Sequence, residues 1–200
     1  MRIAISGTHS QGKSTFVRDF LNKNPHYAFE NEPYRAIMHE HEILFGDDQR
    51  IEHIELQLNH CLKQIKKYKP GDCVIFDRPP SDYIPYSDYS AVNAQSNIDK
   101  SYVESLYPRI KSALTHLDLI VFVPITEEYP INLEDDGHRP TGDFYRVWVD
   151  GAFKKLYRED LKQVMPVEEA PLVVEITGSR ETRIALLEQV IRQCKPIQIE

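Results

Sequence analysis

Short runs of β-branched and aromatic residues, each flanked by polar or glycine-containing segments, recur five times along the chain. They lie at residues 3–5, 27–29, 73–76, 119–123 and 172–176. Continuous apolar runs of this length are typical of parallel strands that are buried on both faces. Helical patterns separate the runs. The sequence therefore predicts an α/β fold, a doubly wound five-stranded parallel sheet with helices on both faces.

Two of these helical patterns are long enough to predict the bounds of a helix. Residues 50–67 carry an amphipathic stripe that stops at Pro70 and Gly71. A second long helix is predicted over 143–164, with a face formed by Phe144, Val147, Trp148, Ala152, Leu156 and Leu161. Residues 103–117 also keep the helical period, but Pro108 interrupts it, so either one helix is kinked or a second helix starts there.

The segment between the first strand and the first helix reads GTHSQGKS and matches the P-loop pattern G-x-x-x-x-G-K-[ST] at every defined position. In such a loop Lys13 reaches the β- and γ-phosphates, and the Ser14 hydroxyl takes one Mg²⁺ position. Glycine permits the close approach of backbone to phosphate. The pattern predicts binding of ATP and Mg²⁺. The residues expected to contact the nucleotide are Gly7, His9, Ser10, Gln11, Gly12, Lys13, Ser14, Thr15 and, from the loop after the fifth strand, Arg180.

Ligands of open α/β sheets bind at the carboxyl ends of the strands, which directs attention to Asp77 and Arg78 after the third strand. An apolar strand that ends in aspartate is the Walker B arrangement, in which the carboxylate holds Mg²⁺. The alternative for Asp77 is a polar strand terminus. Arg78 contacts a phosphate of the donor or acceptor, or it pairs with a neighbouring acid.

Glu32 follows the second strand and precedes Pro33, which restricts its backbone. A carboxylate at this position is suited to accept the proton of an acceptor hydroxyl and to orient that hydroxyl toward the γ-phosphate. A solvated acid in a turn is the other interpretation of Glu32. Glu30 competes with it for the role of base.

A polar and flexible composition over about 125–142 is typical of a lid insertion. Arg139 in this segment is placed to neutralise the charge that develops on a transferred phosphoryl group. The alternative is a solvated loop in which Arg139 offsets the adjacent acids.

The length, charge and cysteine pattern of the chain limit the classes of protein to which it can belong. A chain of 200 residues has room for one α/β domain, and its net charge of −7 argues against a nucleic-acid footprint. Cys61, Cys73 and Cys194 follow no metal-binding or disulfide pattern, and no apolar run approaches a membrane span, so we expect a cytoplasmic protein with reduced thiols. The paired histidines around residues 39–41 lack metal-ligand spacing.

Five segments of the chain together carry a resemblance to a known family. They are GTHSQGKST, FENEP, FDRPPSDYIPYS, DDGHRP and ITGSRETR. They resemble a P-loop family typified by the ribosylnicotinamide kinase domain of bacterial NAD-biosynthesis regulators, which is often grouped with AAA-type ATPases. A more distant likeness is to deoxynucleoside and thymidylate kinases. Pro79 departs from the deoxynucleoside kinases, which usually have a hydroxyl residue there.

The resemblance implies that Lys13 and Ser14 bind the triphosphate and Mg²⁺, and that Asp77 binds the metal. It also implies that Glu32 is the base, that Arg78 binds a phosphate and that Arg139 lies in the lid. The leading interpretation is a kinase that moves the γ-phosphoryl group of ATP to a nucleoside-like or nucleotide-like hydroxyl, and it leaves room for a homodimer. The rival is an ATP- or GTP-hydrolysing switch that acts on a protein partner. The chain has no N-K-x-D guanine motif.

Overall fold

One parallel sheet organises the chain. The computed structural model describes residues 1–40, 43–92, 96–129, 143–160 and 162–194. Its strands run in the order β2-β3-β1-β4-β5, and every neighbouring pair is parallel. The strands are β1 (Arg2–Ser6), β2 (Ala28–Glu30), β3 (Val74–Asp77), β4 (Leu119–Phe122) and β5 (Leu172–Glu175). The predicted five-stranded parallel α/β sheet is confirmed.

Helices cover both faces of this sheet. They are α1 (Lys13–Lys23), α2 (Pro33–Ile37), α3 (Ile51–Ile65), α4 (Tyr83–Ala91), α5 (Lys100–Leu114), α6 (Asp143–Glu159) and α7 (Arg180–Cys194). Side chains alternate along β1, so Ile3 and Ile5 pack with α1 and α7, while Ala4 packs with α3, α4, α5 and α6. None of the helices within these residue ranges is long and apolar enough to cross a membrane.

The strands β1, β3 and β4 are buried on both faces, whereas β2 and β5 are not. The last two are the edge strands of the sheet, where cover is incomplete. Phe29 in β2 is 44% exposed and Leu172 in β5 is 47% exposed. An apolar run alone does not reveal which strand lies at the edge, and the expectation of full burial was wrong for these two strands.

The predicted face of the helix over 143–164 was wrong in part. Phe144 and Val147 are 74% and 57% exposed, whereas Leu156 is buried as predicted. The other buried residues of the helix, which the prediction did not include, are Tyr145, Val149, Asp150 and Phe153. The buried stripe contains the polar Asp150, whose carboxylate accepts a hydrogen bond from the backbone N–H of Ile125 at 2.9 Å.

This helix ends at Glu159, earlier than expected, because the next residues leave the helical conformation. Asp160 has a φ of 41° and Gln163 a φ of 51°. The Asp160 carboxylate accepts hydrogen bonds from the backbone N–H groups of Val164 and Met165. Leu161 lies outside the described residues. Pro108 lies inside the single helix α5, which settles the alternative that the sequence left open.

The position of the buried face of α6 can be tested with two phenylalanines of the same helix. Phe153 is fully buried and Phe144 is mostly exposed. We expect Phe153→Ala to lower the free energy of unfolding by about 3–5 kcal/mol, because it removes a large side chain from the core. Phe144→Ala should change it by about 0.5 kcal/mol or less. Urea unfolding of both variants measures the difference, and equal losses would contradict the assignment of the face.

Candidate active site

The carboxyl ends of β1 and β3 lie side by side and place the chemically important loops together. Ile5 of β1 is in register with Asp77 of β3. The phosphate-binding loop, residues 7–14, follows β1 directly and leads into α1. This is the edge of an open parallel sheet at which ligands are expected.

The backbone of the phosphate-binding loop takes conformations that depend on glycine. Gly7 has a φ of 135°, and a Cβ atom on it would lie 2.5 Å from the carbonyl oxygen of Val123. Gly12 has a φ of 69° and Ser10 a φ of 53°. Left-handed residues turn successive backbone N–H groups inward, which forms a concave anion-binding surface at the start of α1.

Lys13 supplies positive charge to this loop. Its Nζ donates a hydrogen bond to the carbonyl oxygen of Thr8 at 2.6 Å, across the loop. Burial, with a contribution from the Arg78 guanidinium, lowers the pKa of Lys13 to about 7. A buried ammonium is costly unless it is paired. The carboxylates of Asp77, Glu32 and Asp82 offset part of this cost, and a bound anion would add a further counter-charge.

Ser14 and Asp77 form an oxygen pair beside the loop. The Ser14 hydroxyl donates to the Asp77 carboxylate at 2.9 Å. Burial, and the nearby charge of Glu32, raise the pKa of Asp77. One hydroxyl and one carboxylate fit Mg²⁺, which binds few protein oxygens and completes its shell with phosphate and water. Among the described residues no group of three or more acidic, histidine or cysteine side chains could hold a metal.

Arg78 is the centre of a buried ion-pair network. It has a φ of 97°, a strained value for a residue with a side chain. Its Nε donates to Glu32 at 2.6 Å, and its Nη1 donates to Asp82 at 2.9 Å and to the carbonyl oxygen of Gly7 at 3.2 Å. Of the two alternatives for Arg78, the structure therefore shows the pairing with neighbouring acids.

Asp82 is a site residue that the sequence analysis missed. It is buried, and burial raises its pKa to about 6. Its carboxylate accepts from the hydroxyl of Ser6, and the Tyr157 hydroxyl lies 2.8 Å from Ser6 Oγ and 2.9 Å from Ser81 Oγ. Its position four residues after Arg78 is the only signal in the sequence. The partners of Asp82 come from β1 and α6, which no local pattern reveals.

The two glutamates that compete for the role of base lie in different surroundings. The Glu30 carboxylate accepts from the Tyr68 hydroxyl at 2.8 Å and lies 3.5 Å from Lys67 Nζ, at the end of α3. Glu32 is buried at the start of α2 and bonds to Arg78. Its charge also acts on Lys13 and Asp77. The structure thus brings Glu32, and not Glu30, to the phosphate-binding loop.

A narrow pocket with a cavity volume of about 20 Å³ lies beside this network. Glu32, Arg78, Asp82 and His9 line one wall. Rings and amides form the remainder, from Phe45, Gln49, Gln57, Tyr83, Tyr86 and Tyr145. The His9 imidazole lies against the Tyr145 ring, with ring centroids 5.3 Å apart. The side chain of His9 therefore faces this pocket, although the sequence placed it on the nucleotide.

One predicted nucleotide contact lies apart from this group. Arg180 at the start of α7 is exposed and pairs with Asp19 of α1, with Nη2 and Oδ1 2.7 Å apart. Arg139 and most of the predicted lid fall outside the described residues.

The chain is similar to known proteins in sequence family and in fold. A family model described as AAA domain matches residues 2–183. No curated protein matches the sequence.

Solved kinase structures share the fold. A NadR protein in complex with NAD and AMP-PNP has a TM-score of 0.65 at 16% identity, and the alignment covers 99% of this chain but 50% of the NadR chain. The chain thus spans about half the length of that protein. Deoxyadenosine kinase from M. mycoides with bound dATP has a TM-score of 0.62 at 18% identity over 96% of this chain and 100% of its own. Thymidylate kinase from Candida albicans has a TM-score of 0.60 at 16% identity, over 96% of this chain and 90% of its own.

The lowered pKa of Lys13 predicts a pH dependence for anion binding. In the empty protein Lys13 loses its proton near pH 7, whereas a bound anion favours the charged form. Binding then takes up a proton above pH 7, so affinity falls as pH rises, by at most about tenfold per pH unit. The comparison is between the wild type and Lys13→Arg, because arginine stays charged throughout.

Calorimetric titration with inorganic tripolyphosphate between pH 7 and pH 9 provides the measurement. The ratio of wild-type affinity to that of the arginine variant should decrease with pH, and taking the ratio cancels the ionisation of the anion itself. A ratio that stays constant would mean that Lys13 is already fully charged in the empty loop.

Proposed function

The chain belongs to the AAA domain family, and from that premise and the geometry of the site we propose that it is an ATP- and Mg²⁺-dependent kinase. The reaction moves the γ-phosphoryl group of ATP to a hydroxyl of a nucleoside-like or nucleotide-like acceptor. This assignment goes beyond the fold, which is all that the three similar structures support at 16–18% identity with the chain.

One observation carries the proposal. The buried carboxylate of Glu32 stands between the phosphate-binding loop and a pocket of aromatic rings. The Arg78 Nε holds one of its oxygens at 2.6 Å, which fixes its direction. A fixed carboxylate in this position accepts the proton of an acceptor hydroxyl and aligns that hydroxyl with the γ-phosphate. Hydrolysis of ATP requires only a water molecule, for which an aromatic pocket is unnecessary.

On the donor side, the N–H groups of the loop and Lys13 bind the phosphates of ATP. Ser14 and Asp77 would hold Mg²⁺, which neutralises charge on the β- and γ-phosphates when it is bound. Lys13 then regains its proton on contact with phosphate, because an opposite charge favours the ammonium form. The chain supplies position and charge for the transfer, and the chemistry needs no covalent intermediate on the protein.

On the acceptor side, the shape and charge of the pocket favour an uncharged nucleoside-like molecule. The rings of Tyr86 and Tyr145, which line the pocket, suit a planar heterocycle, and the amides of Gln49 and Gln57 suit the polar edge of one. The guanidinium of Arg78 is already shared between Glu32 and Asp82. A monophosphate group would therefore meet two carboxylates in this wall of the pocket and one cation that is already paired.

A cytoplasmic location is part of the same proposal. The free cysteines Cys61, Cys73 and Cys194 are compatible with a reducing compartment. A homodimer stays a prediction for solution measurement.

Substitution of the proposed base tests the function. We expect Glu32→Gln to lower acceptor-dependent phosphoryl transfer by about 10²-fold or more, the typical effect of a positioned base. Affinity for ATP should change less than the transfer rate, because the side chain lines the acceptor pocket and acts on Lys13 and Asp77 through its charge. The matched control is Glu30→Gln, two residues away, where the carboxylate contacts Tyr68 and Lys67 instead.

Transfer of the label from γ-labelled ATP to a panel of nucleosides measures this effect, together with phosphate release in the absence of acceptor. A kinase variant loses transfer and keeps its slow background hydrolysis. If the wild type hydrolyses ATP without any acceptor-dependent rate, the regulatory switch is the better assignment. If Glu30→Gln alone loses transfer, the base is Glu30.

Asp77→Asn tests the Mg²⁺ site. The amide keeps the shape of the side chain and removes the charge, so nucleotide should still bind while most of the Mg²⁺-dependent rate is lost. Rates measured against Mg²⁺ concentration should show a strongly raised requirement for Mg²⁺. Asp88→Asn, in α4, is the control and should behave as the wild type. A wild-type rate for Asp77→Asn at low Mg²⁺ would make Asp77 only a polar strand terminus.

A further inference from the structure

Arg183 connects two loops at the nucleotide side of the sheet. It is the fourth residue of α7 and is only 6% exposed. Its Nη1 donates to the carbonyl oxygen of Gln11 at 2.9 Å, and its Nε donates to the carbonyl oxygen of Gly178 at 3.0 Å. Gln11 belongs to the phosphate-binding loop, and Gly178 belongs to the turn between β5 and α7. One guanidinium therefore spans both loops.

The charge of Arg183 is unbalanced in the empty protein. In the described part of the chain no carboxylate lies within ion-pair distance of it, unlike Arg78, which has two. Burial lowers the pKa of the guanidinium. A cation near the start of a helix also opposes the helix dipole. Packing alone does not account for a buried arginine in such a place, since an apolar side chain would fill it at lower cost.

The bond to Gln11 fixes the direction of one peptide group. A trans peptide is planar, so the carbonyl of Gln11 and the N–H of Gly12 point in opposite directions. When Arg183 holds the carbonyl, the N–H of Gly12 must point away from Arg183 and α7. Gly12 has a φ of 69° and lies next to Lys13, so this N–H is one of those that form the anion-binding surface of the loop.

We propose that Arg183 is a positioning residue of the nucleotide site, which orients the Gln11–Gly12 peptide so that its N–H faces the phosphates and which adds positive charge behind the loop. The inference rests on the proposed binding of a nucleoside triphosphate at this loop. It adds a residue outside the P-loop motif, 172 positions from Gln11 in the sequence. Its bond to the Gly178 carbonyl holds the turn after β5 against the same loop.

The inference predicts a specific pattern of binding. Arg183→Met should lower the affinities for inorganic tripolyphosphate and for AMP-PNP by the same factor, about tenfold or more. The lost contact involves a charged donor and acts on the phosphate-binding loop. Arg183→Lys keeps the charge but lacks the planar guanidinium with its several donors, so it should lose less affinity than Arg183→Met. Arg192→Met, in the last turn of the same helix, is the control and should bind as the wild type. In transfer assays KM for ATP should rise while KM for the acceptor stays constant.

Calorimetry on the full chain, with urea unfolding of every variant, separates the outcomes. Failure of the wild type to bind AMP-PNP would reject the proposed function itself. If the wild type binds and both Arg183 variants bind tripolyphosphate equally well, the inference is overturned. If the affinity for AMP-PNP falls while that for tripolyphosphate does not, Arg183 acts on the part of the site that binds the nucleoside of ATP, and the proposed peptide orientation is wrong. Should Arg183→Met not fold, the loss of tripolyphosphate affinity in a folded Arg183→Lys decides the question in the same way.

Discussion

The arrangement of the site depends on the buried guanidinium of Arg78. It joins the ends of three elements, because Glu32 opens α2, Asp82 precedes α4 and Gly7 begins the phosphate-binding loop. The cost of burying three charges is repaid only when every partner is present. The same contacts explain why Arg78 keeps a strained backbone, since φ values near 97° cost an ordinary residue about 1–3 kcal/mol. A glycine would relieve that strain but would remove the closest counter-charge of two buried carboxylates, leaving Glu32 with Arg35 at 3.4 Å.

In the ranges that the structure describes, the cations at the phosphate-binding loop, unlike Arg78, are not paired with carboxylates at hydrogen-bonding distance. Arg78 is compensated within the protein, whereas Lys13 is buried with its pKa lowered and Arg183, among the described residues, bonds to carbonyl oxygens and to no carboxylate. A protein optimised for stability alone would avoid such groups. Lys13 and Arg183 are cations at the phosphate-binding loop, whereas Glu32, Arg78 and Asp82 form an ion-paired group that lines the pocket. Under the proposed function, the loop suits an anion, and the pocket suits an acceptor without net negative charge.

The parts of this site that the sequence predicts are those set by contiguous residues. The strand, the loop at 7–14 and α1 follow one another without a gap, and the motif defines position as well as residue type. Asp77 was found for the same reason, as the last residue of an apolar strand. Asp82 and Arg183 were not found, because their partners Ser6 and Gln11 lie 76 and 172 residues away. The face of α6 was misread because both sides of the helix carry apolar side chains, and tertiary contacts alone decide between them.

Helix α6 touches the site near both of its ends, and this limits which changes in length the protein can accept. Near its start Tyr145 lies against His9, and near its end the hydroxyl of Tyr157 reaches Ser6 and Ser81. Each residue of an α-helix adds about 100° of rotation and 1.5 Å of rise. A single insertion or deletion between the two tyrosines would turn one of them away from its partner. The separation of Tyr145 and Tyr157 should therefore be preserved through evolution more strictly than the identity of residues such as Phe144 and Val147, whose side chains meet solvent.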